Sequence, residues 1–352
     1  MIGFLARRLR YSIFVLLGVV TVVFFLFNVL PGDPARLTMG QRSDLQSLEN
    51  VRKELNLDKP LLSRYFLFLN DLSPVGIHGA DSAARAKYGY IGLVSLAGDR
   101  KLALKYPYMG RSYHTKREVG AVLSEALPGT IILALAAMLL ATAGGIMLGV
   151  LAALKKNTWL DSASIAASVA GISMPSFFAG LLIAYVFGYL LHSYTGLSMT
   201  GSLWVYDPFE GRQLALQHLI LPAIALGIRP LAIITQLTRS SLLDVLSQDY
   251  IRTAYAKGLS RRKVVFRHAL PNAMNPVITA ISGWFAELLA GSFFVEYIFG
   301  WKGVGRITVE ALEKFDFPLV MGSVLLTAFI FIIISLLTDL VYSWTDPRVR
   351  LH

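Results

Sequence analysis

The chain has 352 residues, of which 55% are hydrophobic and only 16% are charged, and its mean hydropathy is +0.58. This composition excludes an ordinary soluble globular protein and is typical of an integral membrane protein. The formal net charge of +11 does not indicate nucleic-acid binding, because the basic residues lie between and beside apolar runs instead of forming one patch.

Six apolar runs along the chain are long enough to cross the ~30 Å hydrocarbon core of a bilayer. They are 9–30, 126–154, 163–191, 214–238, 273–299 and 318–342. The uncharged part of the first run, from Tyr11 to Leu30, follows Arg7, Arg8 and Arg10, but it is too long for the apolar region of a signal peptide and lacks a small-residue cleavage site. We therefore predict six transmembrane helices, with a kink or break at Pro175 and at Pro222.

Basic residues in the short loops predict which side each loop faces, because Lys and Arg in such loops remain cytoplasmic. The N-terminal arginines, Lys155 with Lys156, the loop 239–267, and Arg348 with Arg350 all fall on one side. The opposite side receives acidic residues, namely Asp207, Glu210, Glu296, Glu310, Glu313 and Asp316. Both termini are therefore predicted to be cytoplasmic.

The predicted spans divide the chain into four parts. The N-terminal tail and the first helix occupy 1–30, and a long external loop occupies 31–124. A five-helix core occupies 125–346, and a C-terminal tail occupies 347–352. Within the loop, leucines at helical spacing after a capping box at Ser43 predict one amphipathic helix, and Pro60 predicts the start of a second. From 73 to 112 the periodicity is lost, which predicts an irregular extension.

The stretch 249–271, DYIRTAYAKGLSRRKVVFRHALP, is basic and predicts a pair of short helices. Asp249 is a candidate N-cap for a helix over 250–257, and Gly258 ends that helix in a left-handed conformation. Ser260 is a candidate cap for a second helix, which Pro271 interrupts. The stretch is either a docking element for a partner or a cytoplasmic loop that is basic only because of membrane topology; the charges alone do not distinguish these.

Sequence motifs for catalysis are absent. The chain has no GxxxxGK[ST] loop for ATP, no HExxH, no GxSxG and no cysteine, and its six histidines have no metal-ligand spacing. We therefore predict no catalytic residue, no metal site and no cofactor held by this chain. Glu287 in the fifth run is either a residue that lines a translocation path or a structural polar partner, and Pro175 and Ser176 at the break in the third run are further candidates for the path.

The spacing within the basic stretch resembles a known signature. The pattern is similar to EAA-x3-G-x9-I-x-LP, the EAA motif of bacterial ABC importer permeases. Its residues are Arg252-Thr253-Ala254, then Gly258 after three residues, His268 after nine more, and Leu270-Pro271 after one more. Different residues stand at three positions of the motif, namely Arg252, Thr253 and His268. The RTA-x-AKG form, together with NVLPGDPAR, SMPSFFAG, EYIFGWKGVGR and the terminal DPRVR, resembles the B-type permease subunit of the dipeptide, oligopeptide and nickel importers.

The resemblance implies an all-α membrane protein with the six-transmembrane-helix fold of a type I ABC importer permease and a long external loop after the first helix. It implies a non-catalytic subunit of the bacterial inner membrane that forms the translocation path for peptides or a related small solute. It also implies partners: a second, homologous permease, two cytoplasmic ATPase subunits that bind ATP and Mg, and an external solute-binding protein. Carried over onto this sequence, the ATPase-coupling positions are Arg252, Thr253, Ala254, Gly258, Arg261, His268, Leu270 and Pro271.

Two other classes of function are disfavoured by the sequence. An ion-coupled secondary carrier working without an ATPase needs a relay of intramembrane charges, and the runs hold little beyond Glu287 and Asp339. A membrane scaffold without a transport path is disfavoured by the proline-broken runs. The substrate stays open among dipeptides, oligopeptides, nickel chelates, glutathione and sugars.

Overall fold

The structure is a computed structural model that describes residues 2–29, 49, 52, 57–79, 81–96, 99–209 and 211–345. The chain divides into two compact units. The first, called here the N-terminal unit, comprises Ile2–Ala126 and Thr308–Phe329, and the second, the core unit, comprises Leu127–Ile307 and Ile330–His352. The amphipathic helix predicted after Ser43 lies outside the described residues.

The N-terminal unit combines helices with one small sheet. Its elements are α1 (Ile2–Val29), α2 (Leu61–Leu72), β1 (Val75–Gly79), α3 (Ser82–Tyr88), β2 (Ile91–Leu96), β3 (Arg100–Leu104) and the first residues of α4 (Val119–Leu154). The helix predicted to begin after Pro60 is confirmed as α2. Its Phe68 and Leu69 pack against Val20 and Val23 of α1, so an apolar face holds the loop to the first helix.

The irregular extension predicted over 73–112 is wrong, because β1, β2 and β3 form an antiparallel sheet there in the order β1-β3-β2. The register pairs Val75 with Leu104 and Ile77 with Leu102, and a bulge between Gly92 and Val94 shifts the pairing of β2. Bulges and glycines interrupt the period-two alternation that marks a strand in a sequence, which is why the pattern gave no strand signal.

The core unit is built on long helices that bury small and branched side chains. Its remaining elements are α5 (Trp159–Ser173), α6 (Ser176–Tyr185), a π-helical segment (Val186–Leu190), α7 (His192–Thr195), β4 (Trp204–Asp207), β5 (Gly211–Leu214), α8 (Gln217–Leu246), α9 (Asp249–Ala256), α10 (Arg261–Lys263), a second π-helical segment (Val264–Ala269), α11 (Leu270–Gly291), α12 (Phe293–Ile298), α13 (Val304–Glu313) and α14 (Phe317–Thr345). The last two helices also contribute residues to the N-terminal unit. The buried centre includes Leu133, Ile234, Val277, Phe299 and Trp301.

Helices α4 and α8 approach closely along a row of small residues. A Cβ added at Gly145 would lie 2.7 Å from Ile234 Cγ2, and one added at Gly149 would lie 2.6 Å from Thr238 Cβ. Distances this short leave no room for a side chain, so glycine is needed for the two backbones to pack. The row of small residues therefore joins helices within the chain.

The predicted spans agree with the structure at most places. Among the described residues, α1, α4, α8 and α14 each contain a stretch long and apolar enough to cross a membrane, and α5 with its continuation from Ser176 to Leu190 is a fifth span if this bent pair counts as one. The break at Pro175 is confirmed, with a bend of 109°. At Pro222, where a kink or a break was predicted, α8 continues without a break. The remaining predicted span, 273–299, corresponds to α11, which is helical but less apolar because of residues such as Asn275 and Glu287.

Candidate functional site

The first part of the candidate site is α9 and the turn that follows it. Gln248 occupies the position before the helix and Asp249 is its first residue, so the prediction of Asp249 as N-cap is wrong by one position. An acidic residue in the first turn still favours the helix through the helix dipole. The predicted left-handed turn is confirmed, since Gly258 has φ +78°, and a Cβ added there would meet no atom within 4 Å.

The second part is helical without a break from α10 into α11. Ser260 precedes α10 as predicted, but Pro271 does not interrupt the helix. It lies in the first turn of α11, where a proline is tolerated, and the preceding π-helical segment closes with the bond from Leu270 N to Val265 O. The segment 249–271, called here the coupling segment, is therefore continuous with a long helix of the core unit.

One face of the coupling segment is buried against the ends of two long helices. Ile251, Val264 and Ala269 are at most 1% exposed and pack with Val150 of α4 and Leu242 of α8. Burial of this apolar face contributes about 25 cal/mol for each Å² removed from water, so the segment is held to the core unit rather than hinged from it.

Two hydrogen bonds fix the segment in place. Arg261 Nη2 donates to Leu154 O, the carbonyl of the last residue of α4, over 3.2 Å. A cation at this end of a helix complements the helix dipole. Asn272 Nδ2 donates to the Tyr250 hydroxyl over 3.1 Å and so connects α11 to α9. The two short helices therefore have a fixed mutual geometry.

The opposite face of the coupling segment is exposed and basic. A surface concavity there is lined by Ser260, Arg262, Lys263, Phe266, Arg267 and Pro271. Phe266 is 54% exposed, and three of the other lining residues are cationic, namely Arg262, Lys263 and Arg267. An apolar ring surrounded by guanidinium and ammonium groups fits a partner surface that carries acidic side chains around an apolar contact.

The structure brings the eight predicted coupling residues onto this one segment. Arg252, Thr253, Gly258, Arg261 and Pro271 are exposed, His268 and Leu270 are half-buried, and Ala254 is buried. The candidates for the translocation path lie elsewhere: Glu287 is exposed on α11, whereas Pro175 and Ser176 form the break between α5 and α6. Their role stays a prediction.

Sequence reasoning missed several residues that organise this site. Phe266 stands in a run of basic residues, and an exposed aromatic in that context was a readable signal. Asp161 and Arg239 carried no local signal, because they are far apart in the chain. In the structure the buried Asp161 of α5 accepts two hydrogen bonds from Arg239 of α8, at 2.5 Å from Nε and 2.8 Å from Nη2, and it ties these helices together.

Comparison with known proteins gives the family of the chain. Residues 145–351 match the model of the binding-protein-dependent transport system inner membrane component, and residues 1–134 match the N-terminal model of the same membrane components. The chain is 35% identical to the di/tripeptide transport system permease protein DppB of Pseudomonas aeruginosa, over 99% of both chains. It is 33% identical to the dipeptide permease DppB of Alkalihalophilus pseudofirmus, over 99% of this chain and 100% of that protein. It is 34% identical to the glutathione permease GsiC of Escherichia coli, over 99% of both chains.

These matches extend over nearly the whole chain, and they agree with a mostly helical protein that carries several apolar helices long enough to span a membrane. They confirm the predicted fold class and the predicted class of function, and they exclude the secondary carrier. The chain therefore belongs to the family of inner membrane components of binding-protein-dependent transport systems, and it is a permease subunit of an ATP-binding-cassette importer.

Proposed function

We propose that the chain forms, with a second related permease, the translocation path for a short peptide, and that its coupling segment docks on a cytoplasmic ATPase subunit. The observation that carries the docking assignment is the exposed basic face around Phe266, set on a segment whose other face is buried against α4 and α8. ATP and Mg bind to the two ATPase subunits, and an external binding protein delivers the substrate.

The short-peptide assignment rests on the relatives, whose names refer to dipeptides, di/tripeptides and glutathione. These ligands share a small size, an amide backbone and charged ends. We therefore propose peptides of two or three residues as the substrate class. Uptake of a radiolabelled dipeptide by the reconstituted importer, with competition by tripeptides and by longer peptides, tests the assignment. Competition by a nickel chelate or a sugar instead of by short peptides would overturn it.

Docking is tested by Gly258→Trp. A Trp at φ +78° is strained and projects into the space in front of the coupling segment, so it blocks close approach of a partner. We expect the ATPase subunits to be lost from the purified complex and uptake to stop, while membrane insertion is unchanged. Gly196→Trp is the matched control, because Gly196 also ends a helix, has φ +67° and has open space around it.

Equal loss of ATPase subunits in both variants would assign the effect to backbone strain and refute the docking role. Normal uptake by Gly258→Trp with the ATPase retained would refute it as well. The complex without its ATPase subunits is expected neither to hydrolyse ATP nor to concentrate peptide.

Membrane orientation is tested with single cysteines, which are unique labels because the chain contains none. We propose that both termini and the coupling segment face the cytoplasm and that the sheet of the N-terminal unit is external. Arg262→Cys is expected to be protected from a membrane-impermeant maleimide in intact cells, and Val94→Cys, at a position 57% exposed, is expected to react. The reverse pattern would contradict this orientation.

A further inference from the structure

The turn after α12 is organised by a buried carboxylate. Glu296 is 0% exposed, and it accepts hydrogen bonds from Ser292 Oγ at 2.6 Å and from the Arg306 backbone N–H at 3.1 Å. Ser292 directly follows α11, and Arg306 lies in the first turn of α13. Because a buried carboxylate is costly unless it is hydrogen-bonded, these donors hold it firmly and the end of α11 is joined to the start of α13.

Glycines let the turn fit around this carboxylate. A Cβ added at Gly303 would lie 2.3 Å from Glu296 Oε2, and one added at Gly305 would lie 2.6 Å from Phe293 Cα. No rotamer change removes the second contact, since it is with the backbone. The segment from Phe299 to Arg306, called here the clip, is therefore closely packed against α12.

The clip is also hydrogen-bonded to α4. Trp301 is 1% exposed, and its Nε1 donates to Gly129 O over 2.9 Å. The Val304 backbone N–H donates to Thr130 Oγ1 over 2.8 Å. A Cβ added at Gly129 would lie 1.9 Å from Lys302 O, so the clip lies directly on the helix.

The same two helices are joined a second time, at the opposite end of each. There the coupling segment runs without a break into α11, and Arg261 donates to the carbonyl of Leu154 at the end of α4. Helices α4 and α11 therefore form a frame with two joints, one at Leu154 and the other at Gly129 and Thr130 of α4. A rigid frame transmits a displacement at one end to the other instead of absorbing it by bending.

We propose that Trp301 and Glu296 are positioning residues for the transport cycle: the clip makes α4 and α11 move as one body, so that motion imposed on the coupling segment reaches the far ends of both helices. The inference rests on the proposed docking role of the coupling segment. Because the clip lies away from the docking surface, docking of the ATPase and transmission of its motion are two separate steps. Loosening the clip is expected to leave the ATPase subunits bound and active while uncoupling hydrolysis from uptake.

The test uses the complete importer with its ATPase subunits and binding protein, reconstituted in vesicles. Trp301→Phe keeps the buried ring but removes the donor to Gly129 O, and we expect peptide uptake per ATP hydrolysed to fall about tenfold. Trp159→Phe is the matched control, because Trp159 is 75% exposed. Gly303→Ala places a methyl group against the Glu296 carboxylate and is expected to uncouple further, whereas Gly120→Ala, which meets no atom within 4 Å, is expected to behave as wild type.

Two results would overturn the inference. One is an unchanged uptake per ATP in both Trp301→Phe and Gly303→Ala. The other is loss of the ATPase subunits from Trp301→Phe, since that would make the clip a folding element with no separate part in transmission. Failure of the wild-type importer to couple ATP to uptake would instead refute the proposed function, so the two failures are distinguishable.

Discussion

The coupling segment and the sheet of the N-terminal unit place their apolar side chains in opposite ways. The coupling segment buries Ile251 and Val264 against long helices and exposes a basic face. The sheet does the reverse: its register puts six apolar side chains on one face, and most of them are exposed, namely Val75, Ile77, Ile91, Val94, Leu102 and Leu104. Its other face carries Ala103 and His78, which are buried. Apolar residues in the sequence therefore indicate a buried face in the coupling segment, where the opposite face is charged, but they do not indicate one in the sheet.

The largest expected difference in stability between the two regions comes from the same substitution made in each. Val264→Asp introduces a charge at a position that is 0% exposed, and we expect it to destabilise the coupling segment by several kcal/mol. Val94→Asp introduces the same charge at a position 57% exposed in the sheet, and we expect a change within about 0.5 kcal/mol.

Limited trypsin digestion of the purified importer measures this difference. Cleavage after Arg261 and Arg262 is expected to accelerate in Val264→Asp, whereas cleavage after Arg100 and Lys101 of β3 is expected to stay at the wild-type rate in Val94→Asp. Accelerated cleavage in the sheet of Val94→Asp would mean that this face of the sheet is also covered in the assembled importer.

Prediction from the sequence succeeded where local chemistry determines the structure. Gly258 ends a helix because a left-handed turn favours a glycine, and the Pro175 break follows from the missing N–H group. Prediction failed where the exact backbone geometry decides. Pro271 does not interrupt the helix, because it lies in the first turn of α11 and the π-helical segment before it adapts the backbone, and Pro222 is retained within α8 without a break.

The residues of the candidate site also fall into two groups, those that the sequence indicates and those that only the structure shows. The fixed gaps between Arg252, Gly258 and Pro271 were readable, because one short segment carries them all. The contacts of Trp301 with Gly129 and of Arg239 with Asp161 were not, since each joins residues from helices far apart in sequence. Spacing therefore identifies the segment that we propose to dock, whereas the joints of the proposed frame require the fold.

A change of pH is expected to affect the stability of the sheet more than that of the coupling segment. His78 is buried beside Tyr88, with ring centroids 4.2 Å apart, and burial, together with the positive charges of Lys105 and Lys87, lowers its pKa. The folded sheet therefore binds this proton less readily than the unfolded chain does. Stability is then lost as the pH falls below the unfolded value of about 6.5, because the unfolded state takes up the proton first.

Hydrogen exchange measures this effect in the assembled importer. The amides of β1 and β3 are expected to exchange faster at pH 5.5 than at pH 7.5 after correction for the intrinsic rate, and those of the coupling segment are expected to change less. His78→Phe keeps a ring beside Tyr88 without a titrating group, and it should remove the dependence. A dependence that persists in His78→Phe would assign it to another group.

The smallest expected effect separates anchoring from docking within the coupling segment itself. Arg261→Gln removes the charged donor to Leu154 O, which is worth about 1 kcal/mol, so the exchange rate of amides from 258 to 270 should rise about fivefold. Arg262→Gln removes the same charge from the exposed concavity, so it should leave that rate unchanged and weaken ATPase binding instead. If Arg261→Gln also left the exchange rate unchanged, the bond to α4 would not be what holds the segment, and the apolar contacts of Ile251 and Val264 would be sufficient by themselves.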